Sequence, residues 1–164
     1  MKFYAAQPIN RTAILFLQII VVLAGVIVLA ALLFEPQLEG RNTDSTFFQM
    51  YFTDPFLGYV YLASIPFFVA LYQAFRGLEY VKNNKLLSQA VVKILKTIKY
   101  CAFIIAGSTM AANMYLRIAA QSSHDDPAGA IMLGIVITLI SVVVASVAAV
   151  SEKVLRNAVD KSQN

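Results

Sequence analysis

The sequence predicts an all-α, polytopic membrane protein with four transmembrane helices and a cytoplasmic basic amphipathic helix between the second and the third. Three observations lead to this prediction. Of the 164 residues, 59% are hydrophobic and only 13% are charged, whereas a soluble domain carries about 25% charged residues. The charged residues are confined to short segments between long apolar runs. One such segment is strongly basic, which is typical of a cytoplasmic loop.

Composition also limits the classes of function. The chain length predicts a single four-helix membrane domain, residues 1–164. There is one cysteine and one histidine, so an intramolecular disulfide is excluded and no metal-ligand or nucleophile–base motif is visible. We therefore predict no enzyme activity, no catalytic residue, no cofactor and no metal site. The net charge of +4 lies along one membrane face, which predicts anionic lipid and not nucleic acid as its partner.

The first two spans are predicted at residues 12–34 and 55–75. The first contains no charged residue and, at 1.5 Å per residue, reaches roughly 34 Å, enough to cross a hydrocarbon core of about 30 Å. A signal peptide would have a shorter apolar region, about 7–15 residues. In the second span Pro66 cannot donate a hydrogen bond to the carbonyl of Leu62, which predicts a kink. This kink is either a hinge or a static packing feature.

The connector after the second span holds six basic residues, Arg76, Lys82, Lys85, Lys93, Lys96 and Lys99, and one acid, Glu79. Within it, apolar residues recur on one helical face, namely Leu87, Val91, Ile94, Leu95 and Ile98. This pattern predicts a basic amphipathic helix on the inner membrane surface, starting near Asn83 and Asn84. Its lysines at 82, 85, 93, 96 and 99 are predicted to bind anionic headgroups. A cytoplasmic protein is the alternative partner.

The third and fourth spans are predicted at residues 100–118 and 128–150. Small residues mark the faces expected to pack closely: Ala102 with Ala106 and Gly107 with Ala111 in the third span, and a stripe in the fourth of Ala130, Gly134, Thr138, Ser141, Ala145 and Ala149. Leu155 and Val159 indicate that the last helix continues beyond the membrane. Cys101 is interpreted as a buried thiol, and acylation or redox activity is the alternative.

Polar residues in and beside the spans have two interpretations each. Gln18 and Asn113 either form hydrogen bonds between helices or line a path for a solute. At the outer end, a second group of polar residues either forms a cation or proton site or caps the last helix in a solvated turn. That group comprises Arg117, His124, Asp125 and Asp126.

Orientation follows from the positive charges. Eleven of the 13 basic residues fall in segments on one side of the predicted spans, and only Arg41 and Arg117 fall on the other. Because cytoplasmic loops are enriched in lysine and arginine, both termini and the basic connector are predicted to be cytoplasmic.

Three motifs carry a family resemblance: IPFFVALYQAF at 65–75, LKTIKYCA at 95–102 and DDPAG at 125–129. With them the chain resembles, over roughly its whole length, a family of small bacterial four-helix integral membrane proteins catalogued as a domain of unknown function (family number 2975). The resemblance implies a four-helix fold in the bacterial plasma membrane, and no reaction. Members encoded beside small helix-turn-helix regulators hint at regulation. This chain ends in DKSQN and lacks the acidic, asparagine-containing tail of many members.

Together these features predict a non-enzymatic, multi-pass protein of the bacterial plasma membrane with a regulatory or partner-binding role. The alternative is a subunit of a small transporter or channel, formed as a homo-oligomer because four helices alone enclose little pore. A continuous polar path through the bundle would favour transport. A dry bundle with an exposed basic inner face would favour regulation.

Overall fold

A computed structural model describes residues 11–38, 55–120 and 127–163 of the chain, and within them the protein is all-helical. The described helices are α1 (Arg11–Leu38), α2 (Pro55–Lys82), α3 (Gln89–Ala120) and α4 (Ala128–Gln163). Each contains the corresponding predicted span. All four helices are longer than their predicted spans. The longest, α4, has 36 residues and extends about 54 Å.

Helices adjacent in sequence are adjacent in space. The α3–α4 contact is the most extensive, followed by α2–α3 and α1–α2. Tyrosine hydroxyls tie the first three helices together: Tyr61 donates to the carbonyl of Leu32 and Tyr59 to that of Ser108, each at 2.7 Å. Helix α3 therefore lies between α2 and α4.

Three described helices are long and apolar enough to cross a membrane, at Arg11–Phe34, Phe56–Lys82 and Ala128–Ser162. The predicted third span, residues 100–118, is not among them. It lies in α3, where polar Ser108, Thr109 and Asn113 interrupt the apolar residues. The central position of α3 explains this composition, because α2 and α4 cover part of its surface and less of it is left to face lipid.

Small residues form much of the helix–helix contact, as expected for membrane helices. In α3, Ala102 and Ala106 are buried. The predicted stripe on α4 is also largely on the packing face: Gly134, Ser141 and Ala145 are buried, whereas Ala130 at the start of the helix is exposed.

The prediction for Gly107 and Ala111 was wrong. Both residues are exposed, and a Cβ atom added to Gly107 would meet no other atom within 4 Å. The two small-residue pairs of α3 lie on different faces of the helix, and only the pair formed by Ala102 and Ala106 turns toward a neighbour.

The basic connector does not form a separate amphipathic helix. Residues 76–82 continue α2, residues 83–88 form a turn, and residues from Gln89 onward belong to the single helix α3. Part of the predicted apolar stripe packs against protein: Val91 and Ile94 are buried, and Ile94 lies beside Gly77 of α2. Leu87, in the turn, is 61% exposed. Because periodicity reveals an apolar face but not what covers it, the sequence could not separate lipid from a neighbouring helix.

The two asparagines end α2 rather than start α3. Asn84 has a φ of 55°, the left-handed conformation that commonly terminates a helix, which asparagine tolerates. The amide of Lys85 then donates to the carbonyl of Tyr80 at 2.9 Å. Ser88 caps α3, because its hydroxyl oxygen accepts a hydrogen bond from the amide of Val91.

Candidate functional site: a basic platform at one end of the bundle

Three helices extend beyond the predicted spans at the same end of the bundle. We call this region the basic platform and define it as residues 76–82 of α2, 89–99 of α3 and 151–163 of α4. A hydrocarbon core of about 30 Å accommodates about 20 helical residues, so α3 and α4 have about three further turns here. Each of these helices runs without a break from its predicted span into the platform.

The platform has an apolar core of its own. Val91, Val92 and Ile94 of α3 are buried, and Val159 of α4 is 2% exposed. Lys99 of α3 and Glu152 of α4 are in contact. Val92 lies seven residues before Lys99, and Val159 lies seven residues after Glu152. Because the two helices are antiparallel, the two valines lie at a similar height in the platform. Gly77 of α2 lies beside Ile94, since a Cβ atom added to Gly77 would be in ordinary van der Waals contact with Ile94, 3.5 Å from its Cγ2. The platform is therefore held together by side chains of the protein.

Glu152 is the central polar residue of the platform. It is 6% exposed and accepts two hydrogen bonds of 2.6 Å, one from Nζ of Lys99 on α3 and one from Nη2 of Arg156 one turn further along α4. Lys96 is also close enough to act on it electrostatically. A carboxylate in such a place needs cationic partners. Here they come from two helices, so the ion pair fixes α3 against α4.

The five predicted inner-surface lysines divide into two groups in the structure. Lys85, Lys93 and Lys96 are exposed, whereas Lys82 and Lys99 are half-buried. Lys99 is turned into the α3–α4 contact by its pairing with Glu152, and its Nζ also lies 5.1 Å from the ring centre of Tyr100. Three of the five lysines are thus exposed, whereas Lys99 stabilises the contact between α3 and α4.

The two polar residues of the predicted spans are buried or half-buried. Gln18 is buried near the start of α1. Asn113 is half-buried on α3 and its amide packs directly against Gly134 of α4. One turn away, the hydroxyls of Thr109 and Thr138 form a 2.7 Å hydrogen bond between the same two helices. Cys101 is buried, as expected.

The predicted outer site falls mostly outside the described residues. His124, Asp125 and Asp126 belong to the segment 121–126, on which the structure gives no description, so their pairing with Arg117 stays a prediction. Arg117 itself is exposed. It borders a cavity of 460 Å³ whose other walls are apolar residues at the end of α3 and the start of α4.

Sequence reasoning missed two polar residues. Gln73 lies within the predicted second span, and its side-chain oxygen is buried without a hydrogen-bond partner among the described residues. Glu152, in the continuation of the last helix, was not singled out. A signal for Glu152 existed, because it continues the small-residue register of α4 at a spacing of three to four residues beyond Ala145 and Ala148. An acid on a packing face requires a partner.

The basic platform lies within a region of recognised similarity. The chain is 38% identical over 157 residues to the uncharacterized membrane protein YoaS of Bacillus subtilis (strain 168), an alignment that covers 94% of this chain and 97% of that protein. No solved structure matches. Residues 41–163, which include α2, α3 and α4, match the family described as protein of unknown function (DUF2975). These similarities confirm the resemblance drawn from the sequence motifs, and the chain is a membrane protein that belongs to this family.

Proposed function

We propose that this protein is a non-enzymatic regulatory protein of the bacterial plasma membrane, and that its basic platform binds an acidic segment of a cytoplasmic protein. All four helices cross the bilayer in this proposal, and both termini lie in the cytoplasm. The single observation that carries it is the platform: a folded surface with exposed lysines at the end of the bundle that bears most of the positive charge.

The orientation rests on charge. The platform end contains Arg76, Lys82, Lys85, Lys93, Lys96, Lys99, Lys153, Arg156 and Lys161. Arginine and lysine close to the ends of spans are retained on the cytoplasmic side. The start of α1 lies at the same end, since Tyr61 bonds Leu32 near the other end of that helix. The proposed placement of both termini follows from this antiparallel arrangement.

The crossing of α3 rests on its neighbours. Helix α3 contacts both α2 and α4, each of which has the length and composition of a span. Its apolar stretch is bounded by Lys99 at one end and by Arg117 at the other. A helix that lies between two crossing helices, with basic residues at both ends of its apolar stretch, is most simply accommodated as a fourth crossing.

A protein partner is favoured by how the platform is built. Membrane anchoring by an amphipathic helix needs an apolar stripe turned to lipid. Within α3 the stripe instead faces protein, since Val91 and Ile94 are buried and Ile94 lies beside Gly77 of α2; the strongly exposed member, Leu87, lies in the turn before α3. The lysines at 93 and 96 are consequently presented on a folded surface in a defined arrangement. Such a surface suits recognition of acidic side chains, for which charge complementarity supplies association rate and specificity.

A transporter or channel subunit remains the competing proposal. It requires polar groups available to a solute along the bundle. In the part of the chain that the structure describes, Thr109 bonds Thr138, and Asn113 is packed on Gly134. These groups are used to join α3 to α4. This use supports the interpretation of Asn113 as a packing residue and favours the regulatory proposal over the transport proposal.

Site-specific photocrosslinking in native membranes tests the proposed function. A photoreactive residue at Lys85, exposed in the turn beside the platform, should capture one cytoplasmic protein reproducibly. The same residue at Leu139, which is exposed on the membrane-spanning part of α4, is the control and should capture lipid.

A charge series then links capture to the platform. Replacing Lys93 and Lys96 by glutamine should remove the captured protein, because its acidic contacts are lost, and replacing both by arginine should retain it. Capture of the same proteins from positions 85 and 139, or capture unchanged by the glutamine substitutions, would contradict the proposal.

A further inference from the structure

We infer that the α3–α4 side of the platform contains a binding site for the phosphate of an anionic phospholipid, formed by Lys96, Lys99 and Arg156. This site shares Lys96 with the surface proposed to bind a protein, but Lys99 and Arg156 are not among the proposed protein contacts. It lies at the boundary of the membrane, and its ligand is a lipid of the inner leaflet.

The charge around Glu152 is positive. Lys99 and Arg156 each donate a hydrogen bond to Glu152, and Lys96, about one turn before Lys99 on α3, also acts on this carboxylate electrostatically, so the three bases exceed this one acid by two positive charges. Arg156 uses Nη2 for Glu152, and its side chain is 51% exposed, so further guanidinium donors face outward. Lys96 is exposed. The cluster therefore presents donors and net positive charge, which are the features that bind phosphate.

The cluster lies at the level where the predicted third span begins. Lys99 directly precedes Tyr100, the first residue of the predicted third span, and the two side chains are in cation–π contact. Tyrosine is enriched at the level of the headgroups. Three residues beyond Tyr100 is Phe103, which lies on the same helical face as Lys96 and Tyr100 and is exposed. An amphiphile with its phosphate on the cluster would thus place an acyl chain along Tyr100 and Phe103.

The apolar surface beside the cluster distinguishes a lipid from an acidic protein segment as the ligand. The apolar surface below the cluster is continuous with the membrane-spanning part of α3, where exposed residues contact acyl chains. An acidic segment in solution complements the positive charge but does not contact this apolar face. A phospholipid matches both, so the combination favours the lipid.

The chain contains no tryptophan, which allows a clean fluorescence test. Phe103→Trp introduces a single reporter beside the site. Phe16→Trp introduces the same reporter near the start of α1, at the same end of the bundle, where Phe16 is exposed and Arg11 is the nearest basic residue of the helix. Each variant is placed in vesicles of phosphatidylcholine mixed with phosphatidylglycerol, and either lipid carries brominated, quenching acyl chains.

At position 103 we expect phosphatidylglycerol to quench at least about fivefold more effectively than phosphatidylcholine, the ratio that corresponds to about 1 kcal/mol for one basic residue near a membrane. The ratio at position 16 should be smaller. Substituting Lys96→Gln and Arg156→Gln should lower the ratio at position 103 about fivefold per charge, until no preference is left. Lys96→Arg with Arg156→Lys should preserve it.

Three controls keep the result interpretable. Lys161→Gln removes the same charge at the far end of α4 and should leave the ratio unchanged. The helix content by circular dichroism should be equal in all variants, because Lys99 still pairs with Glu152. Inorganic phosphate should have no more effect than chloride at equal ionic strength, since it lacks the acyl chain.

Equal quenching by the two lipids at position 103 in the otherwise unchanged protein would overturn the inference and assign the exposed bases to an acidic protein segment instead. A preference that survives the glutamine substitutions would also overturn it. Displacement by inorganic phosphate alone would show a phosphate site that does not require lipid, and would refute the lipid assignment.

Discussion

The contact between Gly134 and Asn113 provides a quantitative test of the α3–α4 packing. Gly134 is buried, and a Cβ atom there would lie 2.7 Å from Nδ2 and 2.8 Å from Cγ of Asn113, too close for either to stay in place. Gly134→Ala therefore displaces the asparagine side chain, and an off-rotamer side chain costs about 0.5–1.5 kcal/mol. Gly134→Leu overpacks the contact and should cost about 1–3 kcal/mol.

Gly107→Ala is the matched control, because it makes the same chemical change in α3 at a site with no atom within 4 Å. Both alanine variants gain helix propensity, about 1 kcal/mol relative to glycine. The difference between them thus isolates the clash at Gly134. We expect the free energy of unfolding to be about 1 kcal/mol lower for Gly134→Ala than for Gly107→Ala, measured by circular dichroism in mixed micelles of mild detergent and dodecyl sulfate.

A double-mutant cycle then identifies the residue responsible. Asn113→Ala removes the amide that the new methyl group would strike, so Gly134→Ala should cost less in that background. Coupling between residues in contact is about 0.5–3 kcal/mol. Equal stability of Gly134→Ala and Gly107→Ala, or additive effects of the Asn113 and Gly134 substitutions, would refute the packing described for these helices.

Three further predictions concern the platform and the orientation. In a background without the native cysteine, a cysteine at Ser122 should react with an impermeant thiol reagent outside the cell, and cysteines at Asn84 and Gln163 should not; external labelling at 84 would reverse the proposed orientation. Glu152→Gln should lower the thermal stability in detergent by several degrees because Lys99 loses its anionic partner, and a midpoint equal to that of the parent protein would show that the ion pair does not hold the helices. Asn84→Val should destabilise by about 1 kcal/mol, because a β-branched residue is unfavourable at a φ of 55°, whereas Asn84→Gly should not, and equal stabilities of the two variants would contradict that conformation.

The helices were predictable because their signal is long and repeated. Each described helix contains its predicted span, and the α4 stripe correctly indicated Gly134, Ser141 and Ala145 as packing residues. Backbone groups in lipid must be bonded within the segment, so an apolar run of this length leaves little alternative to a helix. The continuation of α4 past the predicted span, indicated by Leu155 and Val159, was confirmed for the same reason of sustained periodicity.

The platform was predictable only in part. The lysines and the apolar stripe of the connector were recognised, but Ile94 packs on α2 and not on lipid. A local pattern contains no information on a neighbour that is distant in sequence, such as Glu152, which is 53 residues from Lys99. The end of α2 was missed for a local reason: asparagine is favoured both before a helix and in a left-handed turn after one, and Asn84 takes the second option.

The position of Glu152 connects the two proposed interactions of the platform. It sits where α3 and α4 pass from the predicted spans into the platform, and through Lys99 and Arg156 it fixes their relative register at that level. A lipid phosphate at the inferred site would contact these same two basic residues together with Lys96, which is also a proposed protein contact, whereas Lys93 lies between one and two turns further out than Lys99. Because both helices are continuous through this level, a change in how the cations share their charge between Glu152 and a phosphate would act on the helix contact beneath the protein-binding surface. The lipid composition of the inner leaflet and the proposed binding of a protein are therefore expected to be coupled through Glu152.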